Sequence, residues 1–402
     1  MKSFSESRLI LVLAFIQLIH VLDFMMVMPL GPDFAIALDI PLAHIGIIGS
    51  SYTLAAAATG FVAALFLDRF DRKRAIVVAL AGLSVATATG ALAWNFASLI
   101  AARAIAGVFG GPLMSLAIAM IADHIPPERR GAAMGKVMGS FSIASIFGVP
   151  FGLEIAAYWG WRAPFIVLAL IAALVCYMAC RQLPAHGNIL QTVPIKRQFA
   201  ILGSCFKNTA ALGAFGYTSL SMMAGFMIIP NISSHMQINL HYPREHLGML
   251  YFFGGLVSFF GVIAIGKMAD KMSVTLLSAV TTGLLIVTIA VGYVWYHNGV
   301  PAIVIFVCFM LAMSSRSVCA QTLSSQVPGP TERASFMSLL SAITQVASAL
   351  SSLLAAHMLS QQADGYLHGI EQVGMVAIGI SLAVPFLFYI TENKLKNSNS
   401  VL

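Results

Sequence analysis

Charge is scarce in this sequence of 402 residues. Only 9% of the residues are charged, whereas 59% are hydrophobic. A soluble domain carries about 25% charged residues, so this chain has too few of them to cover a surface that faces water. The composition excludes an ordinary soluble protein. It predicts an all-α membrane protein that crosses the lipid bilayer several times, because a helix satisfies its own backbone hydrogen bonds in lipid.

Sequence features typical of enzymes and metalloproteins are also missing. The five cysteines lie in or beside apolar segments at spacings that fit no metal site, so we interpret them as small core residues. We find no clustered nucleophile, metal-ligand set or glycine-rich phosphate loop, which argues against a membrane enzyme and predicts no cofactor and no metal. The loops are too short for the soluble domain of a receptor. The net charge of +7 fits membrane topology better than nucleic-acid binding.

Long apolar runs make up most of the chain. About twenty apolar residues cross a bilayer as a helix. We predict twelve such spans, at 8–32, 44–67, 75–95, 97–122, 132–157, 161–181, 205–230, 245–266, 273–296, 301–324, 335–359 and 369–391. The first run is too long for the core of a cleavable signal peptide, so we predict none. The polar stretch 182–204 predicts a linker between six-helix halves at 1–181 and 205–402.

Basic residues set the orientation of these spans. If the N-terminus is cytoplasmic, 18 of the 22 lysines and arginines fall on the cytoplasmic side. Only Arg162 and Arg244 fall on the opposite side, while Arg103 and Arg316 lie within spans. Because cytoplasmic loops carry the excess of positive charge, both termini are predicted to be cytoplasmic. We expect a multi-pass protein of the bacterial inner membrane.

The two halves resemble each other at an offset of about 201–204 residues. Similar segments occur at the ends of the first and seventh spans, after the second and eighth, and after the fourth and tenth: 26–29 and 227–230, 64–69 and 266–271, and 127–134 and 330–337. Six spans separate the copies, so each pair has the same topology. This arrangement predicts parallel repeats with a substrate site between the halves near the bilayer midplane.

The loop after the second span carries a family resemblance. Residues 68–74, Asp-Arg-Phe-Asp-Arg-Lys-Arg, are similar to the G-x-x-x-D-R-x-G-R-K/R loop of the major facilitator superfamily, although Ala64 and Asp71 replace its two glycines. The resemblance covers essentially the whole chain and implies two pseudo-symmetric six-helix bundles. It also implies a cytoplasmic gate in which the eleventh span, starting near Ser335, holds the loop. The gate candidates are Asp68, Arg72, Arg74 and Asp123.

Three further motifs narrow the resemblance. Residues 23–32 resemble the first-span signature of twelve-span drug:proton antiporters, and 103–111 resemble their fourth-span R-x-x-x-G motif. Gly148, Pro150 and Gly152 resemble the antiporter motif of the fifth span, and with 160–165 the chain looks most similar to the arabinose-efflux-permease branch. The resemblance implies a monomer that exports small organic molecules in exchange for protons by alternating access. The alternative is a proton symporter that imports a siderophore or sugar, although the glycine–proline pattern argues against it.

Asp23 is the leading candidate for proton coupling. A carboxylate at membrane depth costs about 2.5–3.5 kcal/mol on insertion scales. Gln17, His20 and Asp23 recur at intervals of three residues, so they share a broad helix face directed at protein or water. Arg103 needs an anion, which Asp23 or Glu154 could supply. We predict a coupling switch from these residues; the alternative is a permanent structural ion pair.

Flexible and aromatic side chains predict the substrate surface. Methionine and aromatic residues crowd the first and seventh spans, which suits varied apolar ligands, although packing and lipid contact would also explain them. Arg316 could hold an anionic substrate or extend to the cytoplasmic face. The predicted cavity residues are Gln17, His20, Phe24, Met26, Tyr217, Met223, Arg316 and Gln321. Because Ala224 is the repeat counterpart of Asp23, we expect proton coupling in the first half only.

Overall fold

The computed structural model describes residues 6–66, 71–184, 203–269, 271–296, 299–328, 333–361 and 366–399. Most of the predicted linker 182–204, the loop residue Asp68 and parts of the repeated loops lie outside these ranges. The division of the chain at 181 and 205 therefore stays a prediction.

Twelve helices in the described residues are long and apolar enough to cross a membrane, which confirms the all-α prediction. In chain order, α1 to α12 are Glu6–Met25, Leu42–Ala63, Arg72–Ala91, Phe96–His124, Ala132–Trp159, Arg162–Gln182, Thr209–Asn239, Arg244–Ala269, Val274–Val294, Ala302–Ser324, Phe336–Met358 and Ile370–Lys396. The two short strands β1 (Ser360–Gln361) and β2 (Leu367–His368) pair antiparallel between α11 and α12.

The predicted spans differ from the helices mainly where proline and glycine interrupt the backbone. The first predicted span runs to residue 32, but α1 ends at Met25, and a short helix, Gly31–Leu38, follows. Within α4 the helical segments are Phe96–Gly110 and Leu113–His124, with Pro112 at the break. Proline lacks the N–H that the preceding turn needs, so the helix is interrupted there.

Hydrophobic clusters show how the two halves meet. We call the end of the molecule that carries Arg72, Arg129 and Arg130 the basic end, and the opposite end, with Asp33 and Arg244, the distal end. At the distal end a single cluster contains buried residues of both halves. Towards the basic end there is one cluster within residues 9–183 and another within residues 205–388. Among the described residues, the halves therefore share a core at the distal end only.

Helices α2 and α11 form the most extensive contact between the halves among the described residues. The Ser50 hydroxyl donates to the Ala349 carbonyl at 3.3 Å. A Cβ on Gly46 would lie 3.0 Å from the Ser352 carbonyl oxygen, so this glycine allows the two backbones to approach. The hydrogen bond of Ser50 and the close approach at Gly46 thus keep α2 against α11.

Polar contacts extend this closure to the distal surface. Arg244 forms a two-pronged ion pair with Asp33 across the halves, at 3.0 and 3.3 Å. The Leu42 amide donates to Gln361 Oε1 at 3.5 Å, which links the start of α2 to β1. The structure is therefore closed at the distal end.

Candidate functional site

A buried ion pair between α1 and α4 forms the centre of the site. Arg103 Nη2 lies 2.9 Å from Asp23 Oδ2, and Nη1 lies 3.1 Å from Oδ1, so the guanidinium binds the carboxylate through two parallel hydrogen bonds. Both residues are 2% exposed. This bidentate geometry is the strong form of a charge-assisted hydrogen bond. The pair joins two helices through residues that are 80 positions apart in sequence.

The end of α1 gives the arginine a third acceptor. Arg103 Nη2 also donates to the backbone carbonyl of Asp23 at 3.0 Å. This carbonyl belongs to the last turn of α1, where carbonyl groups have no partner within the helix. Arg103 therefore caps α1 and neutralises its carboxylate with the same group.

Two further residues complete the environment of the pair. The Thr87 hydroxyl of α3 lies 2.6 Å from Asp23 Oδ1 and 2.8 Å from the Leu83 carbonyl, so it has two acceptors within reach. The Tyr52 ring of α2 lies beneath the guanidinium, with 4.8 Å between Arg103 Cζ and the ring centroid. An aromatic face stabilises a desolvated cation. Helices α1 to α4 therefore all contribute to the site.

The glycines that follow Arg103 explain how Tyr52 reaches it. A Cβ on Gly107 would overlap the Tyr52 carbonyl oxygen, and a Cβ on Gly110 would overlap its hydroxyl. Because glycine has no Cβ, α2 and α4 approach closely here. The R-x-x-x-G spacing thus has a local physical reason: the glycine places the tyrosine of α2 under the arginine of α4.

The fifth-span motif packs on two different helices. A Cβ on Gly148 would overlap Leu22, and a Cβ on Gly152 would overlap Met26, so both glycines face the end of α1 and the residue after it, on either side of Asp23. Pro150 instead faces Gly248 of α8, where a Cβ would lie 3.6 Å from Pro150 Cα. The motif therefore lies between the helix that carries Asp23 and the opposite half.

Other candidates of the first half differ in their surroundings. Glu154 is exposed, and Arg103 bonds Asp23 instead. Gln17 is buried and its Nε2 lies 3.3 Å from His20 Nδ1, so the predicted polar face continues from Asp23 toward the basic end. The Phe24 ring lies 5.5 Å from the Tyr52 ring and 6.1 Å from the Phe226 ring, between the halves.

Three of the predicted gate residues lie at the basic end and are described. Arg72 pairs with Asp123, which joins α3 to α4 within the first half. Asp71 accepts a hydrogen bond from the Arg74 amide at 2.8 Å and so caps α3, while the Arg74 side chain is exposed. The substitution of glycine by Asp71 therefore serves helix capping. Asp68 lies outside the described residues, and the gate function of the set stays a prediction.

The second-half candidates, together with Met26 of the first half, do not form one exposed surface in this conformation. Tyr217 is completely buried, and its hydroxyl lies 2.7 Å from Ser324 Oγ inside the half. Arg316 is buried rather than extended to the membrane surface. Gln321 is exposed and donates to Ser317 at 3.4 Å. Met26 is buried in the distal cluster, and Met223 is half-buried.

Sequence reasoning missed several partners of the site. Tyr52 and Thr87 are common residues in apolar helices and carry no signal before the helices are packed. Asp33 lies just after the first-span signature. Its partner Arg244 did stand out, as one of two basic residues on the non-cytoplasmic side of the predicted topology.

The family model of the Major Facilitator Superfamily matches residues 13–352 and 215–400. The chain belongs to this superfamily. It is accordingly a transport protein and not an enzyme, and its twelve apolar helices make it a multi-pass membrane protein.

Several known proteins are similar to this chain in sequence. The "Chloramphenicol resistance protein" of Streptomyces lividans is 24% identical over 90% of this chain and 92% of its own length. A "Probable sugar efflux transporter" of Mannheimia succiniciproducens is 22% identical over 72% of this chain and 71% of its own. A chloramphenicol efflux pump of Mycobacterium tuberculosis is 32% identical over 39% of each chain.

Solved structures show the same fold. A bacterial homologue of the lysosomal transporter Spinster, in an inward-facing and unoccupied conformation, has a TM-score of 0.74 at 15% identity and covers 98% of both chains. A D-xylose-proton symporter has a TM-score of 0.76 at 16% identity, covering 94% of this chain and 97% of its own.

Proposed function

We propose that this protein exports small organic molecules across the bacterial inner membrane in exchange for protons. The proposal rests mainly on the Asp23–Arg103 pair. Its carboxylate can be neutralised by a single proton and is held at membrane depth by groups from four helices. The efflux relatives support export of compounds such as chloramphenicol or a sugar. Partners are then a small-molecule substrate and protons.

Protonation of Asp23 would change its hydrogen bonds in a defined way. The carboxylate accepts from Arg103 and Thr87. A proton on the carboxyl removes the charge that holds the guanidinium, and the Thr87 hydroxyl can then donate to the Leu83 carbonyl instead. Arg103 would be left to the Asp23 carbonyl and the Tyr52 ring. Since these groups lie on α1 to α4, loading one proton would loosen the contacts among those four helices.

The closed distal end supplies the second element of the proposal. With the basic end in the cytoplasm, as the lysine and arginine distribution favours, the described conformation is the one that opens inward. The same distribution places both termini in the cytoplasm. Alternating access then requires that the α2–α11 contact and the Asp33–Arg244 pair open when the basic end closes.

Purified protein in liposomes tests both the coupling and its direction. We expect labelled chloramphenicol, or a sugar from a small panel, to accumulate inside liposomes only when the interior is made acidic, because an antiporter trades outgoing protons for incoming substrate. The sign holds for either insertion orientation. Accumulation driven by an acidic exterior would instead establish the symporter alternative. Uptake that ignores the pH gradient would refute proton coupling altogether.

Charge reversal at the distal pair tests alternating access. The pair is about one-quarter exposed on each side, so it contributes about 0.2–1 kcal/mol. We expect Asp33→Arg or Arg244→Asp to favour opening of the distal end by up to about fivefold, since 1 kcal/mol is roughly a factor of five in population.

The measurement is the labelling rate of Ser50→Cys by an impermeant maleimide, in a background without the five native cysteines. Ser50 is buried against α11 in the closed state. The matched control is the double reversal Asp33→Arg with Arg244→Asp, which restores attraction and should return labelling to the starting rate. Equal labelling in all of these proteins would contradict a role of this pair in closure.

A further inference from the structure

The second half contains a buried arginine with no counter-charge among the described residues. Arg316 is 3% exposed, and its three guanidinium nitrogens are buried with no hydrogen-bond partner in that part of the chain. The acidic residues described in this half, Glu245, Glu371 and Glu392, lie near helix ends, and Glu392 is engaged by Ser273 and Thr275. An arginine cannot shed its charge by losing a proton. A charge buried within the membrane needs a compensating charge, so we expect an anion beside Arg316.

Contacts on both sides of the arginine define its position on α10. One turn along the helix, the buried Cys319 lies beside Thr281 of α9. The adjacent Ala320 carbonyl lies 3.5 Å from the Tyr217 hydroxyl of α7. The arginine shares the helix face between these two contacts. It therefore points into the space between α7 and α9, inside the second half.

Helix α7 presents a free hydroxyl at the level of the arginine. Tyr217 contacts Ala320, and a Cβ on Gly225 would overlap Met313. These two contacts fix the register of α7 against α10. Ser221 lies midway between them on the same face, level with the arginine. Its hydroxyl is buried and has no partner among the described residues.

Helix α9 adds one more such group. Thr282 follows Thr281, the residue that lies beside the turn after the arginine. Its hydroxyl is buried and has no partner in the described part of the chain.

We propose that this space binds a small monovalent anion of the size of chloride. At its level α7 and α9 carry two buried hydroxyls without partners among the described residues, those of Ser221 and Thr282, which add to the donors of the Arg316 guanidinium. A water molecule could occupy some of these donors but would leave the charge uncompensated. The enclosure by a single half argues for a free ion and against a transported organic molecule. In the first half the buried charge of Arg103 is compensated by the protein itself, through the Asp23 carboxylate.

Thermal unfolding of the full-length protein in detergent tests the site. Sodium chloride, sodium acetate and sodium gluconate at equal ionic strength are the probes, gluconate being far larger than chloride. We expect chloride to raise the melting temperature by several degrees over gluconate, with saturation. Arg316→Met should abolish that response and raise the melting temperature in gluconate, since it removes an unpaired buried charge. A structural role of the arginine would lower it instead.

Controls separate this site from general salt effects. Arg103→Met removes an equally buried arginine whose charge is paired; it should melt lower in every salt yet keep the chloride response. If Arg316→Met fails to fold, Ser221→Ala and Thr282→Val should each raise the half-saturating chloride concentration about threefold or more. A chloride response that persists without the arginine, or its absence in the unaltered protein, would overturn the proposal. A response to acetate alone would overturn the assignment to a free halide.

Discussion

Asp23→Asn is expected to abolish accumulation driven by a pH gradient while substrate exchange at equal pH persists. Asparagine keeps the size of the side chain and one acceptor for Arg103, but it cannot take up a proton. The measurement is labelled-substrate uptake into liposomes with an acidic interior, compared with counterflow without a gradient. We expect gradient-driven uptake to fall to the level of protein-free liposomes, because asparagine cannot carry a proton in exchange for substrate.

Glu154→Gln provides the matched control for this substitution. It also neutralises one carboxyl in the first half, but Glu154 is exposed and stands apart from the arginine pair. We expect gradient-driven uptake to survive it. If coupling is lost in Glu154→Gln but retained in Asp23→Asn, the coupled proton binds to Glu154. That outcome would contradict the role proposed for Asp23.

Both partners of the pair should also be needed for stability. Removing one member of a buried pair costs about 3–5 kcal/mol because the other charge stays unpaired. We therefore expect Arg103→Met and Asp23→Asn each to lower the melting temperature. Melting temperatures equal to that of the original protein would show that the pair does not hold α1 against α4.

The fold could be predicted from the sequence because membrane helices are specified by local composition. Runs of apolar residues specified the twelve spans, and every predicted span corresponds to a described helix. Errors arose where backbone chemistry interrupted a run. Residues near Pro29 and Pro32 remain apolar, so hydropathy extended the first span past Met25, where the helix in fact ends. The residues around the break before Leu113 are also mostly apolar, so hydropathy did not reveal this break.

The candidate site could be predicted only for its charged members. Asp23 and Arg103 are conspicuous because charge is rare in these spans, and the structure brings their side chains together. Tyr52 and Thr87 could not be predicted, since their contribution depends on which face of α2 and α3 turns toward α1. The pair Asp33–Arg244 joins residues 211 positions apart and depends on how the halves meet. Helix rotation and the closure of the halves are tertiary properties that hydropathy does not encode.

Gly107→Ala is expected to disrupt the site without changing any charged or polar group. The new methyl group would overlap the backbone carbonyl of Tyr52. A backbone atom cannot turn away as a flexible side chain does, so α2 must move from α4 and withdraw the ring from Arg103. Overpacking of this kind costs about 1–3 kcal/mol. We expect a lower melting temperature together with a loss of gradient-driven uptake, measured on the same purified protein.

Gly135→Ala distinguishes this clash from the general effect of replacing a helical glycine. Nothing lies within 4 Å of a Cβ at Gly135, which is exposed in the helix Pro127–Met138. Alanine is favoured over glycine in a helix by about 1 kcal/mol, so this variant should be as stable as the original or more so. If Gly107→Ala is equally well tolerated and still transports, α2 and α4 are not held in close contact during transport. The ring contact with Arg103 would then belong to the resting conformation alone, and proton coupling would rest on Asp23, Arg103 and Thr87.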